Sequence, residues 1–290
     1  MDVGVLILPE HRWAEAEPMW RRAEDLGFAH VWTYDHLAWR SLRDHPWHAA
    51  VPALAAAALA TSRIRLGTLV ATPNFRHPVT FARELVTLDD LSGGRLTVGL
   101  GAGGPGWDAS MLGQPTWSAG ERAERFAEFV TLLDRLLREP ETSYDGRYFR
   151  AVEARTHPGC VQRPRVPLAV AATGPRGMRV AAAHAEIWVT NGDRAYDGPP
   201  LGPQEGAAVF RRQSLLLDEV CRGAGRDPAG LRRLVLTGPR LDGGLASPAA
   251  FRAVVEAYAE AGATDLVVPW PRPDEPYAGD PAVLGRLELG

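Results

Sequence analysis

The 290-residue sequence contains no lysine; its 32 basic side chains are all arginine. No lysine Schiff base can form, so lysine-dependent aldolases and enzymes that anchor pyridoxal phosphate on lysine are excluded. Cysteine is almost absent as well. Cys160 and Cys221 are too few for a disulfide framework or a cysteine metal site, and neither has a local pattern that would activate a thiol. Net charge is only −3, so nothing points to nucleic acid or to an anionic membrane as a partner. No run of 18 apolar residues is present to cross a bilayer. The opening MDVGVLIL lacks the basic start and cleavage site of a leader and reads as a buried strand. A cytoplasmic address is therefore expected.

Several motifs are also missing. No G-x-G-x-x-G follows the first strand, no Lys-Ser/Thr ending follows a glycine loop, and there is no G-x-S-x-G elbow. Asp44, His45 and His48 lie close together, but the spacings of metal-binding helices are absent. Strand one is followed by Pro9-Glu10-His11 rather than by His-x-His. No metal is expected.

What is present is an alternation of short β-branched runs with longer amphipathic segments. The stretch 63–104 shows it best. Ile64–Val70 reads as a strand buried on both faces. Phe81, Leu85, Val86 and Leu88 recur at helical spacing, Ser92-Gly93-Gly94 stops that helix, and Leu96–Leu100 is the next strand. A helix between two such strands implies parallel pairing. The same reading gives strands at Val3–Leu8, His30–Tyr34, Pro167–Ala171, Ile187–Thr190, Leu234–Thr237 and Thr264–Pro269. Helices fall at Ala14–Leu26, Ala49–Ala60, Ala119–Leu137, from Gly174 to Ala185, Ala207–Cys221, Pro248–Ala261 and from Pro281. Gly101–Ser118 reads as a long loop. Asp145-Gly146 between aromatic residues marks a hairpin at Ser143–Phe149, a small insertion. Eight strands and eight helices predict an α/β fold of the (β/α)8 TIM barrel class, a single domain over residues 1–290. A doubly wound open sheet is the alternative.

In such barrels the site lies at the C-terminal ends of the strands. Asp35-His36 follows strand two. A histidine exchanges a proton near neutral pH, and a carboxylate beside it fixes its tautomer; a loop histidine capping a carbonyl is the plainer reading. Thr173-Gly174-Pro175-Arg176-Gly177-Met178 follows strand five. Its glycines and free amides at a helix start suit a phosphate, with Arg176 and Arg179 adding charge; an ordinary strand-to-helix turn would look similar. The glycines from Gly101 to Gly106 allow a flat ring or a ribityl chain to approach, or simply make a tight turn. Trp39, Trp47, Trp107 and Trp270 all fall in loops at the site end, where they would form an apolar pocket for a planar ligand or merely pack.

These residues resemble the bacterial luciferase-like family of flavin and deazaflavin oxidoreductases. The likeness is carried by TLVATPNFRHP, ELVTLDDLSGGRL and VGLGAGG, by Asp35-His36, by the hairpin YDGRYF and by the turn ATGPRGM. It covers about residues 1–195 and is most specific over 60–104. The resemblance implies a (β/α)8 barrel. The Asp-His pair resembles the branch that uses the deazaflavin coenzyme F-420; FMN is the alternative cofactor. By resemblance His36 is the catalytic group and Asp35 contacts the ring. Leu69, Val70 and Ala71, with a non-proline cis peptide near Leu69-Val70, back the ring. Ala102, Gly103 and Gly104 line it, and Thr173 through Met178 hold the phosphate. Trp39, with Trp107 and Trp270, would meet the substrate. In the sugar-phosphate dehydrogenase members the glycine loop continues into an acidic glutamate; here it reads Gly104-Pro105, which argues against that reaction. The all-arginine composition fits a GC-rich genome, as in many bacteria that make deazaflavin. The expected activity is hydride transfer between reduced deazaflavin and a small organic or natural-product substrate, most simply as a reductase. A monooxygenase using reduced FMN and a flavin-binding protein without turnover are the alternatives. A homodimer is compatible with this reading.

Overall fold

The computed structural model describes residues 1–193 and 195–289. In chain order the elements are β1 (Asp2–Leu6), α1 (Trp13–Asp25), β2 (His30–Thr33), α2 (Ala50–Ala60), β3 (Arg65–Ala71), α3 (Pro78–Leu91), β4 (Leu96–Gly101), α4 (Trp107–Met111) and α5 (Ala119–Arg138). They continue as β5 (Glu141–Asp145), β6 (Arg150–Arg155), β7 (Leu168–Ala171), α6 (Pro175–His184), β8 (Ile187–Thr190), α7 (Pro203–Gly223), β9 (Arg232–Leu236), α8 (Pro248–Glu260) and β10 (Asp265–Pro269). Eight strands close a barrel in the order β1-β10-β9-β8-β7-β4-β3-β2, and β5 and β6 form a separate two-stranded sheet. The barrel pairs run parallel, with Val3 opposite Leu266, Gly4 opposite His30 and Leu66 opposite Leu96. The fold is the (β/α)8 barrel expected from the alternation of elements. No described helix is long and apolar enough to cross a membrane.

The chain divides into two compact units. The first comprises Met1–Ile7, Arg21–Trp32 and Val170–Gly290. Its strand starts carry a dense polar network. Trp32 Nε1 donates to His30 Nδ1 at 2.6 Å, and His30 Nε2 faces Asp265 Oδ1 at 3.2 Å. Arg232 binds both oxygens of Asp265 and reaches Asp2 at 2.6 Å, and the Thr264 hydroxyl donates to Asp265 at 2.6 Å. Burial pushes the Asp265 carboxyl up, but the hydrogen bonds from His30, Thr264 and Arg232 outweigh it and hold the group below its ordinary value. Gly4 has a physical reason here: a Cβ would lie 1.9 Å from His30 Nδ1.

The second unit comprises Leu8–Trp20 and Thr33–Ala169. Its longest helix, α5, begins with a capping box. Ser118 Oγ accepts from Glu121 N at 3.2 Å and Glu121 accepts from Ser118 N at 2.9 Å. The stripe Phe126, Phe129, Val130, Leu133 and Leu137 is buried, and each such side chain stabilises the fold by about 1.5–3 kcal/mol relative to exposure. Phe129 meets Phe81 at 6.2 Å and Phe149 at 5.7 Å. From the outer face of α5, Glu128 accepts the amides of Arg147, Tyr148 and Phe149 at 3.2, 2.9 and 2.7 Å. Gly146 makes that grip possible, since a Cβ there would lie 2.1 Å from Glu128 Oε1.

Boundaries shift by one or two residues in most elements, and three differences are larger. The hairpin extends beyond Ser143–Phe149 to Glu141 and Arg155; its outer residues are mostly exposed, Val152 among them, so no buried apolar alternation marks them. Helix α7 starts at Pro203 rather than Ala207, because proline is favoured in a first helical turn. The expected loop 101–118 contains the five-residue helix α4, too short to show an apolar period.

Candidate functional site

The second unit carries the expected chemistry. His36 follows β2, and its Nδ1 lies 2.7 Å from Asp108 Oδ2. Asp108 sits on α4, is almost fully buried, and uses its other oxygen to accept Leu37 N at 2.8 Å. On the opposite side, Trp47 Nε1 donates to the His36 carbonyl at 2.9 Å. The Leu37 N–H and the His36 carbonyl belong to one peptide, so the peptide that follows the histidine is clamped at both ends. An ionised Asp108 accepts a hydrogen bond from Nδ1–H and fixes that tautomer, which leaves Nε2 as the open nitrogen. No hydrogen-bond partner of Nε2 is recorded among the described residues, and the side chain is 22% exposed.

Asp35, expected against a ligand ring, is bound by Arg76. Arg76 Nη2 donates to Oδ1 at 2.8 Å and Arg76 Nε donates to Oδ2. Arg76 also binds Glu84 at 2.8 Å and lies over the Phe81 ring at 4.4 Å. Burial pushes the Arg76 guanidinium down, and the Asp35 and Glu84 carboxylates more than reverse it. Asp35 thus fixes the loop after β3 to the end of β2.

The loops themselves come together around Asn74. Leu69 and Ala71 are buried in β3, Val70 is half-buried, and the Leu69–Val70 peptide is cis. Thr72 Oγ1 accepts Asn74 N at 2.9 Å, and Asn74 Nδ2 reaches the Gly104 carbonyl at 3.3 Å. Gly103 has φ +70°, and a Cβ there would lie 2.4 Å from Asn74 Nδ2. Ala102, Gly103 and Gly104 are all partly exposed, and nothing lies within 4 Å of a Cβ built on Gly104. Asn74 Oδ1 is buried with no partner. Trp39 is buried, 4.8 Å from Tyr34 and stacked at 6.1 Å on Trp47. Trp107 is 39% exposed beneath the Arg43 guanidinium at 3.8 Å.

In the first unit, α6 starts at Pro175 with Gly174 as its N-cap and no side chain capping it. Met178 N already donates to the Gly174 carbonyl at 3.0 Å, and Met178 is fully buried. Pro175 has no N–H. The amides that remain for a phosphate are those of Gly174, Arg176 and Gly177, beside the exposed Arg176 and the half-buried Thr173. Gly177 packs against Ala172, where a Cβ would come within 2.8 Å. Trp270 is buried at the end of β10, its N–H on the Leu6 carbonyl at 2.8 Å. A cleft of about 530 Å³ lined by Pro239, Asp242, Pro271, Tyr277, Asp280 and Arg286 contains none of the expected site residues.

A family model described as luciferase-like monooxygenase matches residues 1–233. This chain belongs to the luciferase-like family. It is 40% identical over 163 residues, 55% of its length and 47% of the relative's, to the F420-dependent glucose-6-phosphate dehydrogenase of Beutenbergia cavernae. It is 31% identical over 212 residues, 72% of its length and 54% of the relative's, to the F420-dependent hydroxymycolic acid dehydrogenase of Mycobacterium tuberculosis. The chain thus spans about half the length of the curated relatives it matches. Among solved structures, the coenzyme F420-dependent tetrahydromethanopterin reductase from Methanopyrus kandleri superposes with a TM-score of 0.78 at 19% identity, covering 98% of this chain and 96% of that one. At that identity the superposition speaks for the fold alone.

In this luciferase-like chain two partners escaped the sequence reading, Asp108 and Arg76. Asp108 is 72 residues from His36 and Arg76 is 41 from Asp35, so no spacing rule links either pair. A carboxylate four residues beyond Gly104 was the one available signal.

Proposed function

We propose that this chain is an oxidoreductase that transfers hydride between coenzyme F-420 and a small organic substrate, with His36 as the proton-exchanging group. The observation that carries it is the His36–Asp108 pair, which leaves Nε2 open at the end of β2. The residues fit a deazaflavin. The orphan acceptor Asn74 Oδ1 stands beside the glycine loop, ready for an N–H or hydroxyl. The open amides at the start of α6 suit a phosphate. When bound, the cofactor supplies a ring carbon that carries hydride. Asp108 holds the imidazole by Nδ1, and His36 Nε2 gives or takes the proton that accompanies hydride movement at the substrate. Leu69–Ala71 and Ala102–Gly104 would flank the ring. Trp39, Trp107 and Trp270 would bound the substrate. Gly104-Pro105 offers no acid there, so a sugar-phosphate dehydrogenase reaction is disfavoured even though relatives carry that name. The same reading takes the chain as a single-domain cytoplasmic enzyme, a homodimer being compatible with it.

The second reading is a monooxygenase using reduced FMN, favoured by the description of the matching family model. Fluorescence titration with F-420 and FMN tests the two. Binding of F-420 with substrate-dependent oxidation or reduction of it is the expected result. Micromolar FMN binding without F-420 binding, together with oxygen consumption, overturns it.

A further inference from the structure

Several buried polar atoms of the second unit have no partner, and those of Trp117 and Arg125 lie in one cation–ring contact. Among the described residues, Asn74 Oδ1, Gln114 Oε1, Trp117 Nε1 and Arg125 Nη1 are four of seven such side-chain atoms. Arg125 stands out because it is a cation. It is 7% exposed on α5, with Trp117 below its guanidinium at 4.2 Å and Phe149 at 5.7 Å. Nη2 makes one long bond, 3.3 Å, to the Pro73 carbonyl, and Nη1 makes none. The carboxylates on the same helix are engaged elsewhere: Glu121 on Ser118, Glu124 on Arg147 and Tyr148, Glu128 on the hairpin amides. Burial accordingly pushes the guanidinium below its ordinary value. A buried charge with no counter-charge is costly, and such groups concentrate where a ligand completes them. Trp117 Nε1–H, in the same cation–ring contact, is a second donor without an acceptor.

The position is telling. Pro73 adjoins Asn74, whose side chain touches Gly104, so the guanidinium is linked through Pro73 and Asn74 to the glycine loop assigned above to the cofactor. We propose that Arg125 and Trp117 form a carboxylate-binding subsite, Nη1 and Nε1 supplying two N–H donors to one carboxylate on a small-molecule ligand of this unit. The assignment to a ligand rests on the oxidoreductase reading; the donor pair does not. Both N–H groups are shut off from solvent, so binding needs a local opening that keeps the Trp117–Arg125 contact, and the carboxylate then neutralises the cation. The carboxylate comes either from the substrate or from the anionic tail of the cofactor.

Thermal unfolding of the cofactor-free chain in sodium benzoate, against sodium chloride at equal ionic strength, tests the donor pair. Benzoate is expected to raise Tm by about 2 °C or more over chloride. Arg125→Met abolishes that difference and leaves the Tm of the unliganded chain unchanged or higher, since it removes an uncompensated charge. Trp117→Phe keeps the ring, removes one donor and reduces the difference. Fluorescence titration with F-420 and with the tail-less deazaflavin nucleus distinguishes the sources. If the tail binds here, Arg125→Met weakens F-420 roughly tenfold and the nucleus hardly at all; if the substrate binds here, both affinities hold while the benzoate response is lost. Wild-type protein that ignores F-420 but responds to benzoate overturns the cofactor reading and supports the subsite. The subsite is overturned if benzoate and chloride act alike and Arg125→Met leaves F-420 affinity intact. It is also overturned if Arg125→Met lowers Tm while the benzoate response persists, which makes the arginine a structural one.

Discussion

Two histidines six positions apart on and after β2 each meet an aspartate, and they do opposite things. His30 has both ring nitrogens engaged, Nδ1 by Trp32 and Nε2 by Asp265. Because the Trp32 indole can only donate, Nδ1 accepts and the ring proton is on Nε2, which donates to Asp265. His36 has Asp108 on Nδ1 and no recorded partner on Nε2. The first pair is closed and holds strands together. The second is closed on one side only, and the free side is where chemistry is possible. What separates the two His–Asp pairs is the second nitrogen, not the aspartate.

Substitutions that break each pair sharpen the contrast. His36→Ala is expected to lower turnover by ~10²–10⁴-fold, equivalent to ~2.7–5.5 kcal/mol of barrier. Cofactor affinity and Tm should stay near wild type; steady-state kinetics beside a titration and a melt decide it. Equal loss of folding would make His36 a second structural histidine. Asp265→Ala is expected to cost roughly 1–3 kcal/mol of stability, since it leaves the buried His30 Nε2–H without its acceptor. Urea unfolding reads this, with little change in turnover of the folded fraction.

Asp108→Asn keeps the shape but replaces the acceptor of Nδ1–H. A loss of roughly 10–100-fold in kcat with a smaller change in KM is expected, as for removing an orienting partner. A KM effect alone would assign Asp108 to the substrate pocket. The smallest effect is in the acid limb of stability. Asp265 has its folded value depressed below the ordinary 3.8, so its contribution is fully present above that value and fades as pH falls through the lower folded one. Asp265→Asn should flatten the fall in unfolding free energy below pH ~4.

The comparison also shows what patterning can reveal. The strands of the barrel were legible because β-branched runs such as LVV and TLVA have no exposed face to alternate with. His36 was legible because it follows a strand end directly. Its partner was not: Asp108 lies on a five-residue helix inside what reads as a loop. The His30–Asp265 pair spans 235 residues, a distance that only barrel closure removes. Arg76 was visible within the NFRHP run, yet nothing local says that its fork faces Asp35. The orphan donors of Trp117 and Arg125 are a matter of missing neighbours, which composition and spacing never record.

The indole N–H of Trp32 offers a built-in spectroscopic gauge. It donates over 2.6 Å to an imidazole nitrogen, whereas Trp47 and Trp188 donate to carbonyl oxygens. A short bond to so basic an acceptor should move its proton resonance well downfield of the other indoles and slow its exchange with deuterium. One peak would then report whether the barrel is closed at its strand starts while ligands are added at the other end of the same strand.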